Sequence, residues 1–358
     1  MVYHPFITRV VGSMVMRRER MLPLRGEVLV AAGTWVDPSD TVATAMLPSQ
    51  LRLLNVAKAL SVSSEDLARY LQVSGGEAVA VGDVLAAKGG RSRLFRRTYR
   101  SPVTGTVVGI SNGRLLVQPS RSVLELEALY RGTVINVMSG LGAIIEVNGA
   151  LIQGVWGSGH EGFGVLRTAV DDPTRAVDPE AIDVSCRGTV LVAGSSIGEE
   201  ALYRAQETKV RGIVVGGLDA ELQELASSMP FPVIVTEGMG AMAISTPIFD
   251  LLGMHEGQEA SVRGTMAVRG GGVRPEIIIY VPYAAEEGVS ESRPEFVLRN
   301  GSPVRIVGGP HFGKVGRVVS LPPRREIVET GASLKGVAVR LEGSREVFVP
   351  QANLELFG

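Results

Sequence analysis

The feature that most constrains the fold is an alternation of apolar and amphipathic segments between residues 188 and 238. The stretches "GTVLVAG", "RGIVVGG" and "FPVIVTEG" are short and almost continuously apolar, and "GEEALYRAQETKV" and "DAELQELASSM" lie between them with apolar residues at helical spacing. Continuous apolar strands that alternate with amphipathic helices are typical of a parallel sheet covered on its faces. The sequence therefore predicts a parallel βαβ unit within a central β and α/β domain.

The remainder of the chain consists of short strand patterns separated by turns. A chain of 358 residues is longer than one ordinary domain, and its 44 glycines indicate frequent turns. We therefore expect a multidomain, β-rich α+β protein. The expected parts are an N-terminal arm (1–25), a β domain with a helical insertion (26–130), the central domain (131–285), an acidic linker (286–298) and a C-terminal barrel (299–358).

The net charge of the chain is close to zero, so the molecule as a whole has no strong electric field that would attract a nucleic acid. The 36 Lys and Arg residues nearly cancel the 37 Asp and Glu residues, so attraction to nucleic acid has to come from local patches. A single cysteine, Cys186, excludes an internal disulfide framework. No stretch is apolar for long enough to span a membrane, and the N-terminal order of charged and apolar residues differs from a secretory signal. These features predict a cytoplasmic protein.

Two phrases in the N-terminal third carry a family resemblance. "VGDVLA", which begins at Val81, is followed by "SPVTGTV", which begins at Ser101. This pair resembles the barrel-sandwich hybrid of lipoyl and biotinyl carrier domains. Those carriers bear a modified lysine at a hairpin tip shortly before the Ser-Pro turn, where this chain has Arg93, Leu94 and Phe95. We expect the fold without the covalent cofactor.

A second resemblance lies near the C-terminus. The stretch "VRIVGGPHFGKVGRV" begins at Val304, and Gly309, Gly313 and Gly316 punctuate it between β-branched residues. It resembles the KOW motif of certain ribosomal proteins and NusG-type transcription factors, and the strands after it resemble the rest of a small SH3-like barrel. The resemblance implies contact with RNA, a ribosome or RNA polymerase. The alternative is a barrel that docks onto protein or only stabilises the chain.

Basic residues within this segment are the first set of nucleic-acid candidates. Residues 299–358 carry nine Lys or Arg against five Glu, a modest local surplus of positive charge. The candidates are Arg305, Lys314, Arg317, Arg324 and Arg325.

The densest basic stretch of the sequence is "RSRLFRRTYR", in which Phe95 and Tyr99 are interleaved with arginines. Arginine pairs with phosphate, and aromatic rings stack on unpaired bases, so the pattern indicates a nucleic-acid-binding β-ribbon. The alternative is a solvated sheet edge protected by charge. The candidates here are Arg91, Arg93, Arg96, Arg97 and Arg100.

One turn in the central domain is a candidate for a small anionic ligand. Gly194, Ser195 and Ser196 lie between a predicted strand and a predicted helix, where free backbone N–H groups favour a phosphate or carboxylate. Ordinary helix capping is the alternative. The string "GSGHEG" satisfies a dinucleotide pattern as letters, but the residues after it look like a strand, so it predicts a turn. Four scattered histidines and one cysteine do not have the spacing of metal ligands.

Taken together, these patterns favour a binding protein over an enzyme, with no catalytic residue, metal or cofactor assigned. We expect docking to RNA, a ribonucleoprotein or a transcription assembly through the C-terminal barrel and the arginine-rich ribbon. The first alternative is a sensor or enzyme for a phosphate-bearing small molecule in the central α/β domain. The second is a structural component of a protein assembly.

Overall fold

The computed structural model describes residues 6–89, 97–266, 273–282, 298–328, 331–341, 343 and 345–357. Arg91, Arg93 and Arg96 of the arginine-rich stretch lie outside the described residues. The same is true of the expected linker at 286–298, apart from its last residue.

The N-terminal third is built from short strands and one helix. The strands are β1 (Phe6–Thr8), β2 (Val10–Met21), β3 (Glu27–Val28), β4 (Trp35–Val36), β5 (Thr41–Met46), β6 (Arg52–Leu54), β7 (Ala78–Val79), β8 (Val84–Lys88), β9 (Arg97–Arg100), β10 (Gly105–Ser111), β11 (Arg114–Pro119) and β12 (Val123–Glu127). The helix is α1 (Val56–Leu60). A 3-10 turn covers Asp66–Arg69, so the two helices expected between residues 49 and 73 are shorter than their patterns predict.

The central part mixes long strands with three helices. Its strands are β13 (Gly132–Met138), β14 (Gly142–Gln153), β15 (Trp156–Gly157), β16 (Glu161–Thr168), β17 (Thr189–Val192), β18 (Gly212–Leu218), β19 (Val233–Met239), β20 (Glu259–Arg263) and β21 (Glu276–Tyr280). Its helices are α2 (Glu199–Thr208), α3 (Gln223–Ser228) and α4 (Thr246–Met254). The C-terminal part contains β22 (Pro303–Ile306), β23 (Val315–Ile327), β24 (Ser333–Leu341), β25 (Glu346–Pro350) and β26 (Leu354–Phe357).

The predicted parallel βαβ unit is confirmed. Strands β16, β17, β18 and β19 pair in parallel and in sequence order, and α2 and α3 form the connections after β17 and β18. Every residue of β18 is buried, as expected for a strand covered on both faces. The same sheet continues on the other side through β20, β21, β14 and β13, and these strands pair antiparallel.

The helices cover opposite faces of this sheet. Ala201, Leu202 and Ala205 of α2 pack in one apolar core, whereas Ile248 and Leu252 of α4 pack in a second core on the opposite face. The apolar stretch 241–254 predicts a helix interrupted near Pro247, but the structure places Pro247 in the first turn of α4, where it does not interrupt the helix. Proline is tolerated there because its missing N–H has no helical partner at that position. The chain therefore changes faces between β19 and β20.

A separate compact unit interrupts the central fold. The sheet β6-β11-β10-β7 and the hairpin β8-β9 enclose an apolar core that runs from Leu54 to Val117. Strand β4 instead joins the central sheet, and β3 and β5 form a small sheet with β12. The inserted unit is therefore narrower than the 26–130 domain that the sequence suggested.

The first residues also differ from the expected arm. Strand β2 pairs with β14 of the central sheet from Met21↔Gly142 to Val10↔Ile152. Strand β1 leaves that sheet and pairs in parallel with β26, so residues 6–8 complete the C-terminal sheet in the order β1-β26-β22-β23-β24-β25. A strand near the N-terminus, β1, therefore belongs to the same sheet as a strand near the C-terminus, β26.

Candidate nucleic-acid interface

The C-terminal sheet presents a long two-stranded ribbon, β23 and β24, on which like charges lie opposite each other. In the antiparallel register Arg317 faces Arg340, and Arg325 faces Lys335. All four side chains are exposed. Like charges directly opposite on neighbouring strands destabilise a sheet, so this arrangement costs stability unless an anion neutralises it.

Carboxylates compensate this charge only in part. Glu346 on β25 lies 2.7 Å from the guanidinium of Arg340, and Glu326 lies 2.7 Å from that of Arg324. Within the part of the chain that the structure describes, neither Arg325 nor Lys335 has a carboxylate partner. We name Arg324, Arg325 and Lys335 the distal ribbon, and its net charge with Glu326 included is about +2.

Arg305 does not belong to this surface, and its assignment as a nucleic-acid contact is corrected here. Its side chain is 2% exposed and donates to the carboxylate of Glu355 on β26 at 2.6 Å and 3.0 Å. It also donates to the carboxylate of Glu237 and to the backbone oxygen of Thr236 on β19, each at 2.8 Å. Arg305 therefore joins the C-terminal sheet to the central sheet.

The network around Arg305 extends to both ends of the chain. The hydroxyl of Thr8 on β1 is fully buried, donates to Glu355 and accepts from Arg305 at 3.2 Å. Arg274, just before β21, donates to Glu355 at 2.8 Å and to Thr8 at 2.6 Å. Two guanidinium groups and two carboxylates thus balance in charge, which is what burial of ionised groups requires.

Electrostatics inside the network favour the ionised forms. Burial alone raises the pKa of the Glu355 carboxyl, but the Arg305 guanidinium and hydrogen bonds from Thr8, Arg305 and Arg274 outweigh it, and the pKa is lowered. Burial likewise opposes the charge of Arg305, yet Glu237 and Glu355 raise the pKa of that guanidinium. Glu355 and Arg305 therefore stay charged across the neutral pH range.

Lys314 lies at the junction of the two domains. The β22–β23 hairpin that carries it packs on the loop after β19, where a Cβ on Gly313 would approach the methyl carbon of Met242 to 2.9 Å. Lys314 is exposed and lines a cleft of about 420 Å³ with Arg345 and the residues before α4. It is available to an anion at this junction and is not a member of the distal ribbon.

Two members of the arginine-rich stretch are described. Arg97 and Arg100 are both exposed on β9 of the inserted unit. The guanidinium of Arg100 donates to the backbone oxygen of Gly82 at 2.6 Å, and that of Arg97 lies 3.4 Å from the hydroxyl of Ser61. These contacts are within the same unit and leave donors of both side chains directed to solvent.

The turn at Gly194, Ser195 and Ser196 is closed rather than open to a ligand. Ser195 is buried, and its N–H donates to the backbone oxygen of Arg175 at 2.7 Å. Its own backbone oxygen accepts from Gly217 and Met242. The segment after β16 lies over the turn through an isolated bridge between Ala176 and Gly194. This packing supports the capping interpretation of the turn.

The structure contains a second buried polar cluster, around Glu276, that no sequence pattern predicted. The carboxylate of Glu276 accepts from Arg18 at 2.7 Å and 2.8 Å and from the hydroxyl of Tyr130 at 3.0 Å, and Arg263 lies 2.9 Å away. Burial and the adjacent Glu276 carboxylate raise the pKa of Tyr130 far above its ordinary value, although nearby arginines oppose this. Arg18 was visible only as part of a basic cluster near the N-terminus, and its partner lies 258 residues away.

The remaining classes of site receive no support from the described residues. They contain no group of three or more His, Cys, Asp or Glu side chains arranged to hold a metal ion. None of their helices has the length and apolarity needed to traverse a bilayer. The segment "GSGHEG" leads from strand β15 into strand β16, so it is followed by a strand and not by a helix, as its pattern predicts. No protein-family model matches the chain, and no curated protein matches it either.

Proposed function

We propose that this chain is a non-catalytic docking protein that binds the phosphate backbone of RNA, free or within a ribonucleoprotein, through its C-terminal sheet. The observation that carries the proposal is the distal ribbon, where Arg325 and Lys335 face each other without a carboxylate partner in the described part of the chain. A phosphate between two such cations would turn a destabilising pair into two charge-assisted contacts.

The sequence resemblance to a KOW-type SH3-like barrel supports the same proposal. The β22–β23 connection turns through Gly309 and Gly313, whose φ angles of +84° and +80° favour glycine. Gly316 packs so closely on β24 that a Cβ would lie 2.7 Å from the backbone oxygen of Arg340. In this proposal the unit between β6 and β11 is an unmodified barrel-sandwich domain, and its Arg97 and Arg100 add a second phosphate-binding element.

One observation favours a second candidate, docking onto another protein. Ile327 is 77% exposed and Leu334 is 39% exposed, and both lie on the ribbon beside the distal cations. Exposed aliphatic side chains next to arginines suit a protein surface in an assembly. The two candidates share the ribbon and differ in the partner.

The test is RNA binding by the full chain as a function of salt. A single-stranded RNA of mixed sequence should bind at about 50 mM salt, and the affinity should fall as salt rises because counterions are released from the phosphates. Replacement of the three distal cations with Gln should weaken binding roughly tenfold and reduce the slope of log K against log salt by about 2.

The matched control replaces three exposed arginines outside the C-terminal sheet, Arg114, Arg121 and Arg187, with Gln. This variant has the same change in net charge and should bind RNA nearly as well as the unaltered chain. If RNA binding weakens equally in both variants, the effect comes from the net charge of the molecule and not from the distal ribbon. Absence of RNA binding at low salt would eliminate the RNA candidate and leave docking onto protein.

A further inference from the structure

A crevice separates the C-terminal sheet from the central domain near the start of β23. It encloses about 730 Å³. One wall is the start of β23, with Val315, Arg317 and Val319, and the other consists of Val10 at the beginning of β2 and Pro247 in the first turn of α4. The remaining lining residues are Gly301, Pro303, Gly316, Val318, Arg340 and Leu341.

The walls are aliphatic and the charge within the crevice is positive. Among the described residues that line it, Arg317 and Arg340 are the ionisable side chains. Glu346 pairs with Arg340 from outside the lining, whereas Arg317 donates to the backbone oxygen of Gly301 at 3.2 Å. Within the described part of the chain, the guanidinium of Arg317 therefore has no carboxylate partner, and it lies beside half-buried valine and proline surface.

The two walls are held in place by the buried network beneath them. Val10 and Pro247 belong to the central domain, and the β23 wall belongs to the C-terminal sheet. Arg305 on β22 joins these two bodies through Glu237 and Glu355, in a charge-balanced and buried arrangement. The crevice is thus a fixed feature between two packed domains, and binding there does not require that it first be formed.

We infer that this crevice binds an extended peptide segment of a partner protein in which a carboxylate side chain lies next to an aliphatic one. The carboxylate would take the free donors of Arg317 in a charge-assisted pair, and the aliphatic side chain would cover Val315, Val319 and Pro247. Charge complementarity with the uncompensated guanidinium selects an acidic occupant, and the aliphatic walls select an apolar neighbour.

RNA matches this crevice less well than an acidic peptide does. Unpaired bases bind by stacking on aromatic rings or on the planes of arginine side chains, and the described residues that line the crevice include no aromatic side chain. The aliphatic surface would remain uncovered by a sugar-phosphate backbone. This second partner site goes beyond the proposed RNA docking and is independent of it, because it uses different residues.

The test is selection of random nonapeptides, displayed on phage, against the immobilised full chain. Parallel selections use Arg317→Glu and the matched control Arg114→Glu, which reverses an exposed arginine of the inserted unit, outside both the crevice and the distal ribbon. Enriched peptides should place Asp or Glu within two positions of Leu, Ile or Val. The best peptide, measured by fluorescence anisotropy, should bind Arg317→Glu at least about tenfold more weakly and Arg114→Glu with an affinity within about twofold of that for the unaltered chain.

Several results would overturn the inference. They are the absence of any enriched sequence, enrichment of peptides without a carboxylate, and equal affinity for Arg317→Glu and the unaltered chain. A ten-nucleotide uridine RNA that loses binding in Arg317→Glu but not in Arg114→Glu would assign the crevice to RNA instead. Circular dichroism and thermal unfolding of both variants establish that each is folded, which is expected because both side chains are exposed.

Discussion

The guanidinium of Arg305 in the C-terminal sheet lies 2.8 Å from the carboxylate of Glu237 in the central sheet, and these side chains are 2% and 1% exposed. The same guanidinium binds Glu355, which in turn binds Thr8 near the beginning of the chain. A buried ion pair therefore connects two domains and both ends of the polypeptide. The position of the C-terminal sheet relative to the central domain depends on it.

Replacement of Arg305 with Met should destabilise the protein by about 3–5 kcal/mol, because it leaves the buried carboxylates of Glu237 and Glu355 without their main cation. Urea unfolding of the full chain measures the free energy. Arg340→Met, which removes an exposed ion pair of the same sheet, should cost less than about 1 kcal/mol. A loss of that small size in Arg305→Met would contradict the structural role assigned to the network.

A triple variant tests whether uncompensated charge is the cause. Arg305→Met combined with Glu237→Gln and Glu355→Gln removes the cation and both of its carboxylate partners. It should recover part of the stability lost in Arg305→Met alone, because no buried carboxylate is then left without a cation. The opposite result is a triple variant that is even less stable than Arg305→Met, with the losses from the two carboxylate replacements simply added. That result would indicate that lost packing, and not uncompensated charge, is the main cause of the destabilisation.

Stability should depend on pH through Glu355. Its pKa is lowered in the folded protein, so its contribution is fully present above the ordinary glutamate value of about 4.3 and is lost as pH falls through the folded value. Between about pH 5 and pH 3 the free energy of unfolding should therefore fall more steeply in the unaltered chain than in Glu355→Gln. If the free energy of unfolding depends on pH in the same way in both proteins, Glu355 does not contribute to the loss of stability in acid.

Gly194 should be intolerant of a side chain. Its φ is +72°, and a Cβ there would lie 2.0 Å from the backbone oxygen of Arg175. Gly194→Ala should cost more than about 2 kcal/mol by thermal or urea unfolding, because the overlying segment must move away. Gly253→Ala in α4 meets no atom within 4 Å and should stabilise the protein by up to about 1 kcal/mol. Equal, small effects at the two positions would contradict the closed turn.

Tyr130 should remain protonated in the folded protein at pH values where tyrosines of unfolded chains ionise, near 10. A pKa raised on folding contributes stability below the unfolded value, and this contribution declines as pH rises past it. The alkaline absorbance titration of folded Tyr130→Phe should therefore match that of the unaltered chain, and one fewer tyrosine should ionise on unfolding. A smaller titration in the folded variant would show that Tyr130 ionises in the native state.

Patterns within the sequence were sufficient where the structure depends on neighbours along the chain. The alternation of apolar strands and amphipathic helices predicted the parallel unit from β17 to β19, because the period of apolar residues reports local conformation directly. The same holds for the strand after "GSGHEG". Pro247 shows the limit of such patterns, since a proline near an apolar helical stretch is compatible with either a break or a first turn.

Tertiary packing decided which charged side chains are buried and which partners they have. Arg305 and Arg317 lie twelve positions apart in one basic segment, yet one is buried against Glu237 of another domain and the other is exposed in the crevice. Strand β1 pairs with β26 across nearly the whole chain, and β2 pairs with β14. Local composition indicates a cation or a strand, but its partner lies tens to hundreds of residues away. Only the folded chain determines which carboxylate, strand or solvent each group meets.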